Sequence, residues 1–153
     1  MVNLGAFMKN KACTFFGHRT VTKEIEPTLR STLTELIEKQ DVKLFYVGNH
    51  GQFDGMVLRM LHELSLSYTI DYYVVLAYYS GKRNSSGQID YSNTIFPCGI
   101  EAVPKRFAIS YRNKWMLERS DYVITYVDHD LGSGAAQFKK MAEKKGREVI
   151  DLR

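Results

Sequence analysis

The sequence predicts an α/β fold, a mainly parallel sheet of about five strands with helices on both faces. Short β-prone runs alternate with longer segments whose apolar residues recur at helical spacing. The runs after which a new helical pattern opens end in glycine-bearing polar turns, as strand-to-helix connections do. Hydrophobic residues make up 44% of the 153 residues and charged residues 25%, the balance of a globular domain able to bury a core.

Taken in order, residues 1–10 read as an N-terminal extension and 11–153 as a single domain. Ala12 to Phe16 is a buried strand, and Ile25, Leu29, Leu33, Leu36 and Ile37 then mark a helix. Lys43 to Val47 is the second strand, closed by Gly48-Asn49-His50-Gly51. Phe53, Met56, Val57, Met60, Leu61 and Leu64 make the amphipathic face of the next helix. Asp71 to Tyr78, rich in Val and Tyr, is the third strand. Residues 80–104 break the rhythm as a long polar loop, of a length usually functional or disordered rather than a simple connector. A helix from Lys105 to Arg119, a strand from Tyr122 to Val127, a helix from Ala135 to Lys145 and a strand from Val149 to Leu152 complete the pattern.

With right-handed crossovers and a Rossmann-like three-layer strand order of 3-2-1-4-5, the switch point falls between the first and fourth strands. The turn Gly17-His18-Arg19 and the loop from Asp128 through Gly132-Ser133-Gly134 would then face each other, with Gly48 to Gly51 beside them. Arginine offers a planar donor fork for phosphate or carboxylate, and glycine admits a ligand close to the backbone. Gly132-Ser133-Gly134 precedes a helix, so its amides suit an anion; a serine N-cap accounts for the same residues. Asp54 suits a ribose hydroxyl or an amino group, and equally a first-turn carboxylate favoured by the helix dipole. Arg112 is read as reaching a phosphate or forming a surface salt bridge, and Trp115 as near-core. The expected ligand-binding set is Gly17, His18, Arg19, Gly48, Asn49, Asp54, Arg112, Asp128, Gly132, Ser133 and Gly134.

Other chemistries find less support. Neither a Walker A sequence nor a full G-x-G-x-x-G is present, and the histidines show no metal-ligand spacing, so no metal is expected. His50 reads as a polar loop residue and His62 as a partly exposed surface one. Cys13 reads as a small buried hydrophobe, and the two cysteines suggest no disulfide framework. No run suffices to span a bilayer and the first residues lack a signal-peptide pattern, so a cytoplasmic protein without membrane association is expected. The net charge of +4 permits polyanion binding. Its excess near Lys139, Lys140, Lys144, Lys145 and Arg147 reads as a solvated face, which disfavours nucleic acid.

The ordered set Thr14-Phe15-Phe16-Gly17-His18-Arg19, Gly48-x-x-Gly51-x-x-Asp54, Tyr111-Arg112-Asn113-Lys114-Trp115-Met116 and Ser120-Asp121-Tyr122-Val123-Ile124, leading through Asp128 to Gly132-Ser133-Gly134, resembles the SLOG superfamily (Smf/DprA and LOG proteins), most closely its YpsA-like branch. The resemblance runs from about Lys9 onward. It implies a Rossmann-like fold with a pocket for a nucleotide or nucleotide-derived ligand, lined by Gly17, Arg19, Asp54, Arg112, Gly132, Ser133 and Gly134. LOG enzymes cleave nucleoside monophosphates with a Pro-Gly-Gly-x-Gly-Thr-x-x-Glu motif. Aligned on Gly134, this chain has Ala135 for that threonine and Phe138 for the glutamate, which argues for binding without that hydrolysis. The expectation is thus a nucleotide-binding protein, with a role as a sensor and a homo-oligomeric state as the further readings. Its alternatives are an N-glycosidic hydrolase of LOG type and a protein-interaction module using residues 80–104.

Overall fold

The computed structural model of the chain describes residues 10–78, 93–127 and 134–153. Among these residues six strands form one all-parallel sheet: β1 (Lys11–Gly17), β2 (Val42–Val47), β3 (Asp71–Val75), β4 (Thr94–Ile95), β5 (Tyr122–Tyr126) and β6 (Glu148–Asp151). Their order across the sheet is β4-β3-β2-β1-β5-β6. The five strands expected from the sequence thus lie in the Rossmann-like order, with β4 added at the edge beside β3.

Among the described residues four helices cover the sheet: α1 (Glu26–Lys39), α2 (Gly51–Ser65), α3 (Lys105–Glu118) and α4 (Gly134–Lys144). Alternation along the central strand decides what each face receives. Cys13 and Phe15 pack with Leu29, Leu33, Phe53 and Leu61 from α1 and α2, whereas Phe16 packs with Met116, Phe138 and Ala142 from α3 and α4. Strand β1 is covered on both sides from Ala12 to Phe16, which explains its continuous apolar run. Thr14, fully buried within that run, donates its hydroxyl to the Tyr46 carbonyl at 2.9 Å. Helix α1 carries Pro27 in its first turn, where a missing N–H costs nothing.

Two expectations change. Strand β3 ends at Val75, three residues short of Tyr78, although the Leu76 N–H still reaches the Ile95 carbonyl at 2.9 Å. The described part of the long loop contains β4 and a 3-10 turn at Ile100–Ala102. A two-residue strand is too short to show a period, and a polar surrounding hid it. Residues 80–92 of that loop lie outside the described residues. Among the described residues, no helix is long and apolar enough to cross a membrane.

Candidate functional site

The strand order reverses between β1 and β5, and a cleft of about 350 Å³ opens there at the carboxyl end of β1. Its walls are Phe15, Phe16, Gly17, His18 and Arg19 from β1 and its exit, His50 and Asp54 at the start of α2, Ile109, Arg112, Asn113 and Met116 from α3, and Gly134 and Ala135 opening α4.

Glycines lock the two loops that carry the wall. Gly51 has φ +88°, and a Cβ there would lie 2.8 Å from the Arg19 Cα. The Gln52 N–H donates to the Arg19 carbonyl at 2.7 Å, and the Gln52 Oε1 accepts from the Val21 N–H at 3.1 Å. Backbone contacts therefore hold Arg19 in place while its side chain is exposed, with no hydrogen bond or ion pair to another described residue. His18 stands edge-on to Tyr126 with ring centroids 6.3 Å apart.

Arg112 is the buried cation of the site, only 2% exposed. Its Nε donates to Asn113 Oδ1 at 2.8 Å, and its Nη1 to the Val75 carbonyl at 3.0 Å and to Asn49 Oδ1 at 3.4 Å. Its Nη2 lies 3.3 Å from His50 Nδ1. A guanidinium has donors only, so the neutral His50 ring accepts at Nδ1 and turns its Nε2–H to the Tyr78 hydroxyl, 3.1 Å away. Burial holds Arg112 below its ordinary pKa, while Asp54 and Tyr78 favour its charge.

Asp54 faces the same cleft and is 9% exposed. Its Oδ2 accepts the His50 N–H at 3.0 Å, so it does bond back across the helix start as a first-turn carboxylate. Burial pushes its pKa up to about 6, against the His50 N–H bond and the Arg112 charge, which both pull it down. Gly48 makes this packing possible. A Cβ on it would lie 2.8 Å from both Arg112 Nη1 and Asp54 Oδ2.

Of the residues expected to bind a ligand, Gly17, His18, Arg19, Asp54, Arg112 and Gly134 line the cleft. Gly48 and Asn49 support it from behind through Arg112. Asp128, Gly132 and Ser133 lie outside the described residues. The surface salt bridge is corrected: Arg112 is buried and points inward. His50 and Tyr78 were missed as members of the network. The one usable signal was His50's place between two glycines at the end of β2. Trp115 is half-buried, edge-on to Tyr46 with centroids 5.2 Å apart. Ala135 lines the cleft, whereas Phe138 is buried and stacks on Phe16 at 5.2 Å. The position aligned with the LOG glutamate therefore belongs to the core. His62 is exposed and hydrogen-bonded to Tyr72. Cys13 is buried and its thiol is pushed up by burial, while Cys98 is exposed. Among the described residues, no group of three or more His, Cys, Asp or Glu is placed to hold a metal.

No model of a known protein family matches the chain, and no curated protein does.

Proposed function

We propose that this protein binds a nucleotide or nucleotide-derived ligand in the cleft between β1 and β5, in the cytoplasm, and that it acts as a sensor of that ligand. The observation that carries the reading is the meeting of an exposed Arg19, a buried Arg112 and the first residue of α4 around one cleft at the strand-order reversal. Guanidinium groups bind phosphate oxygens in pairs, and amides at a helix start add partial positive charge. A cleft of about 350 Å³ falls within the size range of small-molecule sites. The resemblance of the loops to SLOG proteins supports the same class of ligand. The aligned Ala135 and the buried Phe138 favour binding over LOG-type hydrolysis.

Thermal unfolding against AMP, ADP, ADP-ribose and related nucleotides tests the proposal. A compound present at ~100 times its Kd adds about 2.7 kcal/mol of stability and raises Tm by about 5–10 °C. Arg19→Ala removes an exposed side chain without disturbing the fold and is expected to abolish the rise. If no compound stabilises the wild type more than Arg19→Ala, the cleft is not a nucleotide site.

A further inference from the structure

We propose that binding of an oxyanion in this cleft is coupled to uptake of a proton by Asp54, so that the affinity of the site is set by pH. The inference rests on the reading that the cleft takes an anionic ligand. Asp54 is buried, and one of its two carboxylate oxygens is already used by the His50 N–H. The other has no hydrogen-bond partner among the described residues, and the side chain borders the cleft. The groups around it are Arg112 from α3, His18 and Arg19 at the exit of β1, His50 at the start of its own helix, and Tyr78 beyond β3 through His50.

An anion drawn in by Arg19 and Arg112 therefore arrives beside a carboxylate that shares the same cations. Two like charges in a desolvated site cannot both persist cheaply, and one of them takes a proton. A phosphodiester, or a diphosphate esterified at both ends as in ADP-ribose, has no proton affinity near neutrality, so with such a ligand the proton goes to Asp54. Protonation removes the repulsion and turns the open carboxyl oxygen into a donor for a ligand oxygen. Asp54 is suited to this exchange because burial has already moved its pKa to about 6, where small changes in its surroundings shift its charge near neutral pH. Each unit by which the bound anion raises that pKa makes binding about tenfold weaker on going from acid to alkaline solution. The response is thus tighter binding below about pH 6 and weaker binding above it.

ADP-ribose is the probe, because its diphosphate stays fully ionised throughout the range and cannot imitate the protein's titration. Calorimetry from about pH 5.5 to about pH 8, in two buffers of different ionisation enthalpy at each pH, reads affinity and proton uptake together. The expected result is uptake of at least about half a proton per ligand near pH 6.5, growing and moving to higher pH the further the bound anion raises the Asp54 pKa, with affinity falling about tenfold for each unit of that rise. Asp54→Asn is expected to bind without uptake and with an affinity that no longer depends on pH. The carboxyl carbon resonance of Asp54 in the wild type is a second readout, needing no variant: its midpoint near 6 should rise when ADP-ribose is added. Binding that is flat with pH, uptake that survives in Asp54→Asn, or an Asp54 midpoint unmoved by ligand overturns the coupling and leaves the binding site standing. Absence of ADP-ribose and AMP binding at every pH overturns the nucleotide reading together with the coupling.

Discussion

Gly48→Ala probes the tightest packing in the site. Gly48 does not have a positive φ, so alanine meets no left-handed backbone penalty, and apart from a gain of about 0.4–1 kcal/mol from a less flexible unfolded chain the effect comes from the added methyl group. That Cβ would sit 2.8 Å from Arg112 Nη1, 2.8 Å from Asp54 Oδ2 and 2.9 Å from Arg112 Cζ. Long side chains usually swing away from such a clash, but Arg112 is held by Val75, Asn49, Asn113 and His50. Moving Nη1 would break the bonds to Val75 and Asn49, and hydrogen bonds to charged groups are worth about 1.5–3 kcal/mol each. Partial relaxation reduces that sum, and overpacking of this size costs about 1–3 kcal/mol. We expect a loss of about 2–3 kcal/mol in equilibrium denaturant unfolding, with weakened nucleotide binding. Gly55→Ala is the control: its Cβ meets nothing nearer than Arg59 Nη1 at 4.0 Å, and in the middle of α2 it should stabilise by about 0.5–1 kcal/mol. Wild-type stability in Gly48→Ala, within about 0.5 kcal/mol, would refute the tightly packed Arg112–Asp54 cluster.

Two more outcomes follow from buried groups. Asp54 binds its proton more tightly in the folded chain than in the unfolded one, so its contribution to stability falls as pH rises from the unfolded value of 3.8 to about 6. At ~1.4 kcal/mol per unit the full loss is about 3 kcal/mol, of which about 2.4 kcal/mol is read as the wild-type stability minus that of Asp54→Asn from about pH 4 to about pH 7; a difference that stays constant contradicts it. Phe138→Glu, which places a glutamate where the resemblance to LOG enzymes would put one, should destabilise by at least about 4 kcal/mol and release no base from AMP, because the residue is 5% exposed and stacked on Phe16. A folded, hydrolytic variant would show that this position reaches the cleft.

The sheet was legible because its signals are local. Cys13 to Phe16, apolar but for Thr14, is buried on both faces and becomes the central strand, while Leu29, Leu33 and Leu36 mark one side of a helix and cover it. The glycine-bearing ends of β1 and β2 showed where the chain leaves the sheet, and the strand order brought Arg19, Asp54 and Arg112 to one cleft. The strand β4 was not legible, since two residues carry no alternation. Nor was the environment of Arg112. Its partners His50 and Asn49 are 62 and 63 positions away, and its burial depends on the absence of a side chain at Gly48. Spacing along the chain cannot show a polar network assembled across three strand ends. The same long-range closure turns Asp54 from a helix-start carboxylate into a buried group facing the cleft.

A crystal structure of the protein soaked with ADP-ribose or AMP tests the central claim most directly. The account predicts phosphate density within hydrogen-bonding distance of the Arg19 guanidinium and beside Gly134 at the start of α4, in the cleft walled by Arg112 and Asp54. Ligand density on any other face, or an empty cleft at saturating nucleotide, would contradict it.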